Sequence, residues 1–272
     1  MASLSRPTLL VVGAGFLGRE VARWAQAGGW EVIPVVRSEE SAADLRKEFP
    51  PVRAADALDS DFWGSVPEGV AGLVWTVAPS RARPADDFEA MQRIGAVAAA
   101  EWAKRKKIPM VYVSSTSVDA EDGGGWVDED SPVATDDSRS MAMVTAEKAC
   151  LQAGGSVVRC AGLYGKERVL KPDAEGPARW LNLVHVEDAA RAVGIALQQK
   201  GEILNACEDE PRPRGRPGGS WPEGMRRARR NKRVRNTKLK SLGWRVLGGG
   251  EIWNSDLEFR NFEIRKAESG KK

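Results

Sequence analysis

The sequence predicts an α/β fold in which a doubly wound, mostly parallel β-sheet is covered by helices on both faces. Short apolar, β-rich runs alternate with longer segments whose apolar residues recur at helical spacing. Parallel neighbours in a sheet need crossover connections of this length. The chain has 272 residues, of which 42% are hydrophobic, and is therefore long enough to bury one sizeable core.

The predicted elements follow one another from the N-terminus. Residues 8–12 form the first predicted strand, and a glycine turn leads into a helix that ends at Gly28 and Gly29. The later elements are strands at 30–36, 70–77, 110–113 and 156–160, and helices at 87–107 and 136–152. Because helices separate these strands, each step reads as a βαβ unit.

Composition argues against several classes of protein. The net charge of +3 is small for this length and demands no polyanionic partner. Cys150, Cys160 and Cys207 lie far apart without a CxxC pair, so we predict packing cysteines in a reducing compartment and no metal site. The first strand leaves no room for a signal peptide, and no apolar run reaches about 18 residues. These features predict a cytoplasmic protein without a membrane span.

A glycine motif follows the first strand directly. In VVGAGFLG, Gly13, Gly15 and Gly18 have the GxGxxG spacing, and Phe16 and Leu17 open the helix. The glycines allow a tight turn, close approach of a pyrophosphate and close helix packing. Free amides at the helix start favour the phosphates. The motif predicts a Rossmann-type dinucleotide site; the alternative is a glycine turn with a structural role alone.

The end of the second strand bears on the choice between NADP(H) and NAD(H). An acid about 20 residues beyond the motif binds the ribose 2′-hydroxyl in NAD enzymes. This chain has Arg37 and Ser38 there, and a guanidinium favours a 2′-phosphate. We therefore predict NADP as the cofactor, with NAD as the alternative. In that alternative Arg37 is a solvated loop charge and Glu39 or Glu40 binds the ribose.

Three further positions complete the predicted cofactor site. Asp56 follows the next strand and would contact the adenine, although an acid in a turn needs no such role. Val77 and Ala78 lie at the end of the strand at 70–77. Ligands of doubly wound sheets bind beyond the carboxyl ends of the strands, so both residues are predicted to contact the cofactor.

The composition changes after Glu210. Residues 212–240 hold twelve basic residues and one acid, Glu223, together with several prolines and glycines. We predict a dinucleotide-binding domain over residues 1–210 and a small basic segment on the substrate side over 211–272. Basic clusters also bind nucleic acid, but Trp221 is the only aromatic residue here, which makes that partner unlikely.

Several segments resemble one known family in the same order. The run MVYVSSTSV at 110–118 is similar to the fifth strand of extended and atypical short-chain dehydrogenases/reductases, the NAD(P)-dependent epimerase/dehydratase-like proteins. The other matching segments are GGGWVDEDSPV at 123–133, VVRCAGLYG at 157–165, LNLVHVEDAARAV at 181–193 and NKRVRNTKLKSLGW at 231–244. The resemblance covers nearly the whole chain and implies an oxidoreductase or epimerase acting on a small carbonyl or sugar-like molecule.

The resemblance also implies catalytic residues. The family uses a YxxxK pair, in which the lysine lowers the pKa of the tyrosine and holds the nicotinamide ribose. Lys148 matches the lysine, which places Val144 at the tyrosine position, and valine has no proton to exchange. Ser115 and Thr116 are predicted to orient the substrate oxygen. For these two the alternative is hydrogen bonding at the strand end, and for Lys148 a solvated helix charge.

Other candidate catalysts have weaker support. His185, the only histidine, is predicted to fix a helix start together with Asp188. Tyr112 is predicted to be core, and Tyr164 either borders the pocket or packs beside it. Three functions therefore stand: an NADP(H)-dependent enzyme for a small-molecule substrate, a non-catalytic NADP(H) sensor or scaffold suggested by Val144, and a nucleic-acid-binding protein. Pairing into a homodimer, as in relatives, is open.

Overall fold

The computed structural model describes residues 6–78, 86–166, 168–169, 177–215 and 230–248. Its helices are α1 (Phe16–Ala27), α2 (Glu39–Leu45), α3 (Asp86–Ala90), α4 (Val97–Lys106), α5 (Ser138–Gln152), α6 (Val186–Ala196) and α7 (Thr237–Ser241). Its strands are β1 (Thr8–Val12), β2 (Glu31–Val36), β3 (Arg53–Ala54), β4 (Val70–Trp75), β5 (Met110–Ser115), β6 (Trp126–Val127), β7 (Ser156–Cys160), β8 (Gly162–Tyr164), β9 (Arg179–Leu181), β10 (Leu183–His185), β11 (Ile203–Ala206), β12 (Arg212–Arg214) and β13 (Arg233–Val234).

Seven strands form one parallel sheet in the order β11-β7-β5-β4-β1-β2-β3. The chain winds outwards from β1 in one direction and then, from β4, in the other. Because the order reverses beside β1, a crevice forms there beyond the carboxyl ends of the strands. The doubly wound α/β fold predicted from the sequence is confirmed.

Each face of the sheet buries its own apolar cluster. On one face α1 packs against α6, where a Cβ at Gly194 would collide with the indole of Trp24. On the other face α4 and α5 pack side by side over β4 and β5. None of the helices in the described ranges is both long and apolar enough to cross a bilayer.

Differences between the predicted and observed elements are local. The helix predicted from residue 136 begins at Ser138, because Asp137 caps it by accepting a hydrogen bond from the Ser140 amide at 2.7 Å. The helix predicted at 87–107 contains a π-helical turn over Met91–Ala96. The sequence analysis missed the edge strand β11, whose four residues are too few to show a periodic pattern.

The described C-terminal part packs on the main core. Val234, Leu239 and Trp244 are buried in the cluster that also contains α1 and α6, and the Trp244 indole donates to the Asp188 carbonyl at 2.9 Å. The Asp188 carboxylate accepts from the backbone amides of residues 247 and 248. The Asp188 carboxylate therefore fixes the C-terminal segment at residues 247 and 248. The N-cap of α6 is His185, whose Nδ1 accepts from the Glu187 amide. The predicted pairing of His185 and Asp188 at the helix start is corrected accordingly.

Candidate cofactor and substrate site

A cavity of about 620 Å³ opens at the carboxyl ends of β1, β2, β4 and β5. Most of the residues predicted from the sequence line it. They are Gly13, Gly15, Phe16, Leu17, Arg37, Asp56, Val77, Ala78 and Ser115. Four others do not line it, namely Gly18, Ser38, Thr116 and Lys148. Gly18 and Ser38 nonetheless follow directly after the lining residues Leu17 and Arg37 in the chain.

The glycine turn after β1 has no space for side chains at two of its three positions. Gly13 has a φ of +93°, and a Cβ there would lie 2.7 Å from the amide nitrogen of Val77. At Gly18 a Cβ would lie 2.8 Å from Thr76 Oγ1. Around Gly15 the nearest atom would be 4.0 Å away, so a side chain there would enter open space at the cavity wall. Two glycines thus preserve packing, and one leaves the cavity open.

The N-terminal end of α1 borders the cavity and is suited to binding an anion. No side chain caps this 12-residue helix, and its first turn contains no acid. Its first backbone amides therefore have no intrahelical partner and carry the positive end of the helix dipole. Together with the open side of Gly15, this arrangement fits the diphosphate of a dinucleotide.

The end of β2 presents Arg37 to the cavity. Within the described part of the chain, no hydrogen bond or ion pair joins its guanidinium to another residue. Glu39 instead forms an ion pair with Arg46, and Ser38 caps α2 by accepting from the Ser41 amide at 3.3 Å. Of the two acids in the NAD alternative, Glu39 is thus directed elsewhere, and Glu40 is exposed and does not line the cavity.

Two serines at the end of β5 have different partners. Ser115 lines the cavity, and its Oγ accepts from the Ser117 amide at 3.2 Å, which leaves the hydroxyl proton available to a ligand. Ser114, which the sequence analysis did not select, donates to Glu147 Oε1 at 2.6 Å. Thr116 is buried in a short 3-10 turn away from the lining. Of the two predicted hydroxyls, only Ser115 reaches the cavity.

Helix α5 turns different residues to the cavity from those expected. Arg139 and Met143, one helical turn apart, line it. Because a helix turns by about 100° per residue, Lys148 lies about 180° round the helix from Arg139, and it is exposed. Val144 is half-buried against a small apolar cluster and does not line the cavity either. Lys148 is thus not among the residues that line the cavity, and its assignment to the ribose stays a prediction.

The two tyrosines are poor candidates for proton exchange. Tyr112 is buried, donates to Gln92 Oε1 at 2.6 Å, and has a pKa raised well above its usual value by burial. Tyr164 donates to Glu208, and burial, followed by that hydrogen bond, raises the pKa of its phenol to about 12. Neither phenol is therefore poised to act as a base near neutral pH.

Four buried charges lie behind Ser114. Arg159 donates to Glu147 Oε2 at 2.8 Å and to Asp119 Oδ1 at 3.3 Å, and Lys232 Nζ donates to the Asp119 carbonyl at 3.0 Å. Burial raises the pKa of Asp119 to about 6 and lowers the pKa of Lys232 to about 8. The network thus brings two basic and two acidic side chains together in the protein interior.

Loss of one member of this network should be costly. Replacing Glu147 by glutamine leaves the Arg159 guanidinium, whose side chain is 3% exposed, with Asp119 as its one carboxylate partner among the described residues. We expect Glu147→Gln to lower the free energy of unfolding by about 3–5 kcal/mol, the usual cost of breaking a buried pair. Urea denaturation measures it. The control is Arg46→Gln, which breaks a solvent-exposed pair with Glu39 and should leave the free energy of unfolding nearly unchanged. Equal effects would contradict the prediction.

Basic residues near the C-terminus contact their own chain where they are described. Arg230 pairs with Asp136, and Lys238 and Lys240 pair with acids near β11. Arg233 lies over the rings of Trp126 and Trp180 at 5.0 and 5.3 Å. Residues 216–229 of the basic stretch lie outside the described ranges. These basic side chains thus have contacts within the fold, and the view of nucleic acid as an unlikely partner stays a prediction.

The parallel sheet, the glycine turn and the open start of α1 define a dinucleotide-binding protein of the short-chain dehydrogenase/reductase type. A family model for the NAD dependent epimerase/dehydratase family matches residues 9–207, and the chain belongs to that family.

Solved structures agree with this fold over nearly the whole chain. A dTDP-glucose 4,6-dehydratase from Streptomyces venezuelae, solved with NAD bound, has a TM-score of 0.72 at 18% identity and covers 97% of this chain and 98% of its own. A short-chain dehydrogenase/reductase superfamily protein from Agrobacterium tumefaciens has a TM-score of 0.70 at 14% identity, with coverage of 97% and 100%. A UDP-glucuronic acid 4-epimerase from Bacillus cereus has a TM-score of 0.68 at 15% identity, with coverage of 97% and 98%. No curated protein matches the sequence.

Proposed function

We propose that this protein binds NADP(H) in the cavity beside β1 and acts there on a small carbonyl or sugar-like molecule. The amides at the start of α1 would hold the diphosphate, Arg37 the 2′-phosphate, and Val77 and Ala78 the nicotinamide half. When bound, the nicotinamide supplies hydride transfer. Ser115 orients the substrate oxygen by donating its free hydroxyl proton.

One observation carries the choice of NADP(H). Arg37 lines the cavity without an acidic partner in the described part of the chain, while the neighbouring Glu39 is paired with Arg46. A free guanidinium favours a dianionic phosphate, because it can donate two charge-assisted hydrogen bonds to it. The bound NAD in structural relatives concerns those proteins, whose identity to this chain is below 20%.

Replacing Arg37 tests this choice. We expect wild-type protein to bind NADPH at least tenfold more tightly than NADH, and Arg37→Asp to reverse the order, because a carboxylate repels the 2′-phosphate and accepts from a 2′-hydroxyl. Isothermal titration with both coenzymes measures it. Arg105→Asp, at an exposed position on α4 outside the cavity, is the matched charge-reversal control and should keep the NADPH preference. Equal affinities of wild type for both coenzymes would overturn the assignment.

The lining of the cavity supports assigning Arg139 and Met143 to the positions of the family's tyrosine and lysine. They have the spacing of the YxxxK pair, and both line the cavity, whereas Val144 and Lys148 do not. A guanidinium stays protonated at neutral pH and donates hydrogen bonds without exchanging its proton readily. Arg139 can therefore polarise or bind an oxygen, but it cannot replace a phenol as the acid and base.

This substitution favours a second candidate function, a non-catalytic NADP(H) sensor or scaffold. Loss of a general acid or base typically costs about 10² to 10⁴ in rate. A coenzyme-oxidation screen with carbonyls and nucleotide sugars separates the two functions. Turnover that is lost in Ser115→Ala supports the enzyme, while tight NADPH binding without turnover on any substrate supports the sensor.

A further inference from the structure

We propose that Arg139 and Arg168 bind an anionic group, a carboxylate or a phosphate, on the small molecule that occupies the cavity. This inference rests on the proposed function, since it names the chemistry of the ligand for the same site. Both arginines line the cavity. They approach it from different elements, α5 and the segment after β8.

Each guanidinium is positioned by an aromatic ring. Arg139 Cζ lies 3.8 Å from the centroid of the Phe88 ring, and Arg168 Cζ lies 4.6 Å from the centroid of the Phe16 ring. A ring attracts and orients a guanidinium over its face but supplies no counter-charge. The N–H groups at the edge of a stacked guanidinium stay available, and their planar fork matches a carboxylate or phosphate.

Neither arginine has an acidic partner in the described part of the chain. No hydrogen bond or ion pair joins either guanidinium to a carboxylate there. The acid that acts electrostatically on Arg139 is Asp137, which already caps α5 and lies 3.6 Å from Arg230. Other arginines around the fold, such as Arg23 and Arg159, do pair with acids. Within the described ranges, both guanidinium groups are therefore available to an anionic ligand.

The charges along the cavity wall are unbalanced. Among the described lining residues, three are arginines, namely Arg37, Arg139 and Arg168, and one is an acid, Asp56. Asp56 lies on the β3 side of the cavity, where its carboxylate accepts from the Leu58 amide at 3.0 Å. A concave wall of one sign concentrates ligands of the opposite sign. Arg37 is assigned to the cofactor, which leaves two positive charges for the other ligand.

Arg168 requires a separate arm of the test. It lies over Phe16, the first residue of α1, close to where the diphosphate of the cofactor is expected. An arginine there could neutralise the cofactor itself. Anion binding must therefore be measured on protein saturated with NADPH, and NADPH affinity must be measured for each variant.

The probes are malonate and inorganic phosphate, with malonamide as the neutral isostere of malonate. We expect NADPH-saturated wild type to bind at least one of the two anions, and Arg139→Gln and Arg168→Gln each to weaken that binding at least tenfold in isothermal titration. Arg105→Gln, an exposed arginine on α4 outside the cavity, should have no effect. The preferred anion distinguishes a carboxylate ligand from a phosphate ligand.

Three results would overturn the proposal. They are binding of malonamide as tight as that of malonate, unchanged anion affinity in both variants, and absence of anion binding to the wild type. Tenfold weaker NADPH binding by Arg168→Gln would reassign that residue to the cofactor. If wild type fails to bind NADPH, the proposed function fails. Anion binding that depends on Arg139 in cofactor-free protein would still support the inference.

Discussion

Gly15→Glu is expected to abolish NADPH binding, with a rise in Kd of at least 100-fold, while the protein keeps its fold. The backbone at Gly15 has a φ of −86°, outside the left-handed region, and a Cβ there meets no atom closer than 4.0 Å. A glutamate side chain would therefore extend into the cavity without disturbing the core. Its carboxylate would occupy the position expected for the diphosphate and would repel that group's negative charge. Isothermal titration measures the affinity, and thermal unfolding in the absence of coenzyme measures the fold.

Two matched variants give this result its meaning. Gly64→Glu adds the same side chain at a glycine with no atom within 4 Å, away from the cavity, and should leave NADPH affinity unchanged. Gly18→Ala places a Cβ 2.8 Å from Thr76 Oγ1, so it should lower the melting temperature. Normal NADPH affinity in a folded Gly15→Glu protein would contradict the position assigned to the diphosphate.

The cofactor half of the site could be predicted from sequence because its signals are local. The motif from Gly13 to Gly18 follows a strand and opens a helix, and that order of elements fixes its geometry. Arg37 ends the next strand, so the topology alone brings it to the same edge of the sheet. The positions of such residues can be predicted without knowing how distant helices are rotated about their axes.

The substrate half could not be predicted because it depends on the rotation of one helix. Apolar residues occur on every side of α5, so its pattern does not identify a buried face. Glu147 on α5 is also buried, contrary to the expectation that charged residues mark exposed positions, and its partner Arg159 lies on β7. Lys148, which was selected because it matches the family's lysine, is exposed in the structure. Arg139 and Met143 are the residues of α5 that line the cavity together.

Because α5 presents Arg139 and Met143 to the cavity, substitutions at these two positions are expected to produce a large gain of reductase activity. We expect Arg139→Tyr combined with Met143→Lys to raise NADPH-dependent carbonyl reduction at least about 100-fold above wild type, because it restores a proton donor beside an ammonium that lowers its pKa. Arg139→Tyr alone should gain less, since an unassisted phenol titrates near pH 10. Initial rates of NADPH oxidation with a panel of aldehydes and ketones measure both.

Val144→Tyr is the control that separates the two readings of α5. It places a phenol where the family resemblance put the tyrosine, but Val144 packs against the small cluster around Phe88 and does not line the cavity. Turnover in this variant, with none in Arg139→Tyr/Met143→Lys, would mean that the helix is rotated differently from the structure. If the double variant folds, binds NADPH and remains as slow as wild type, Ser115 and the rest of the cavity are not arranged for hydride transfer, and coenzyme sensing becomes the function that the site supports.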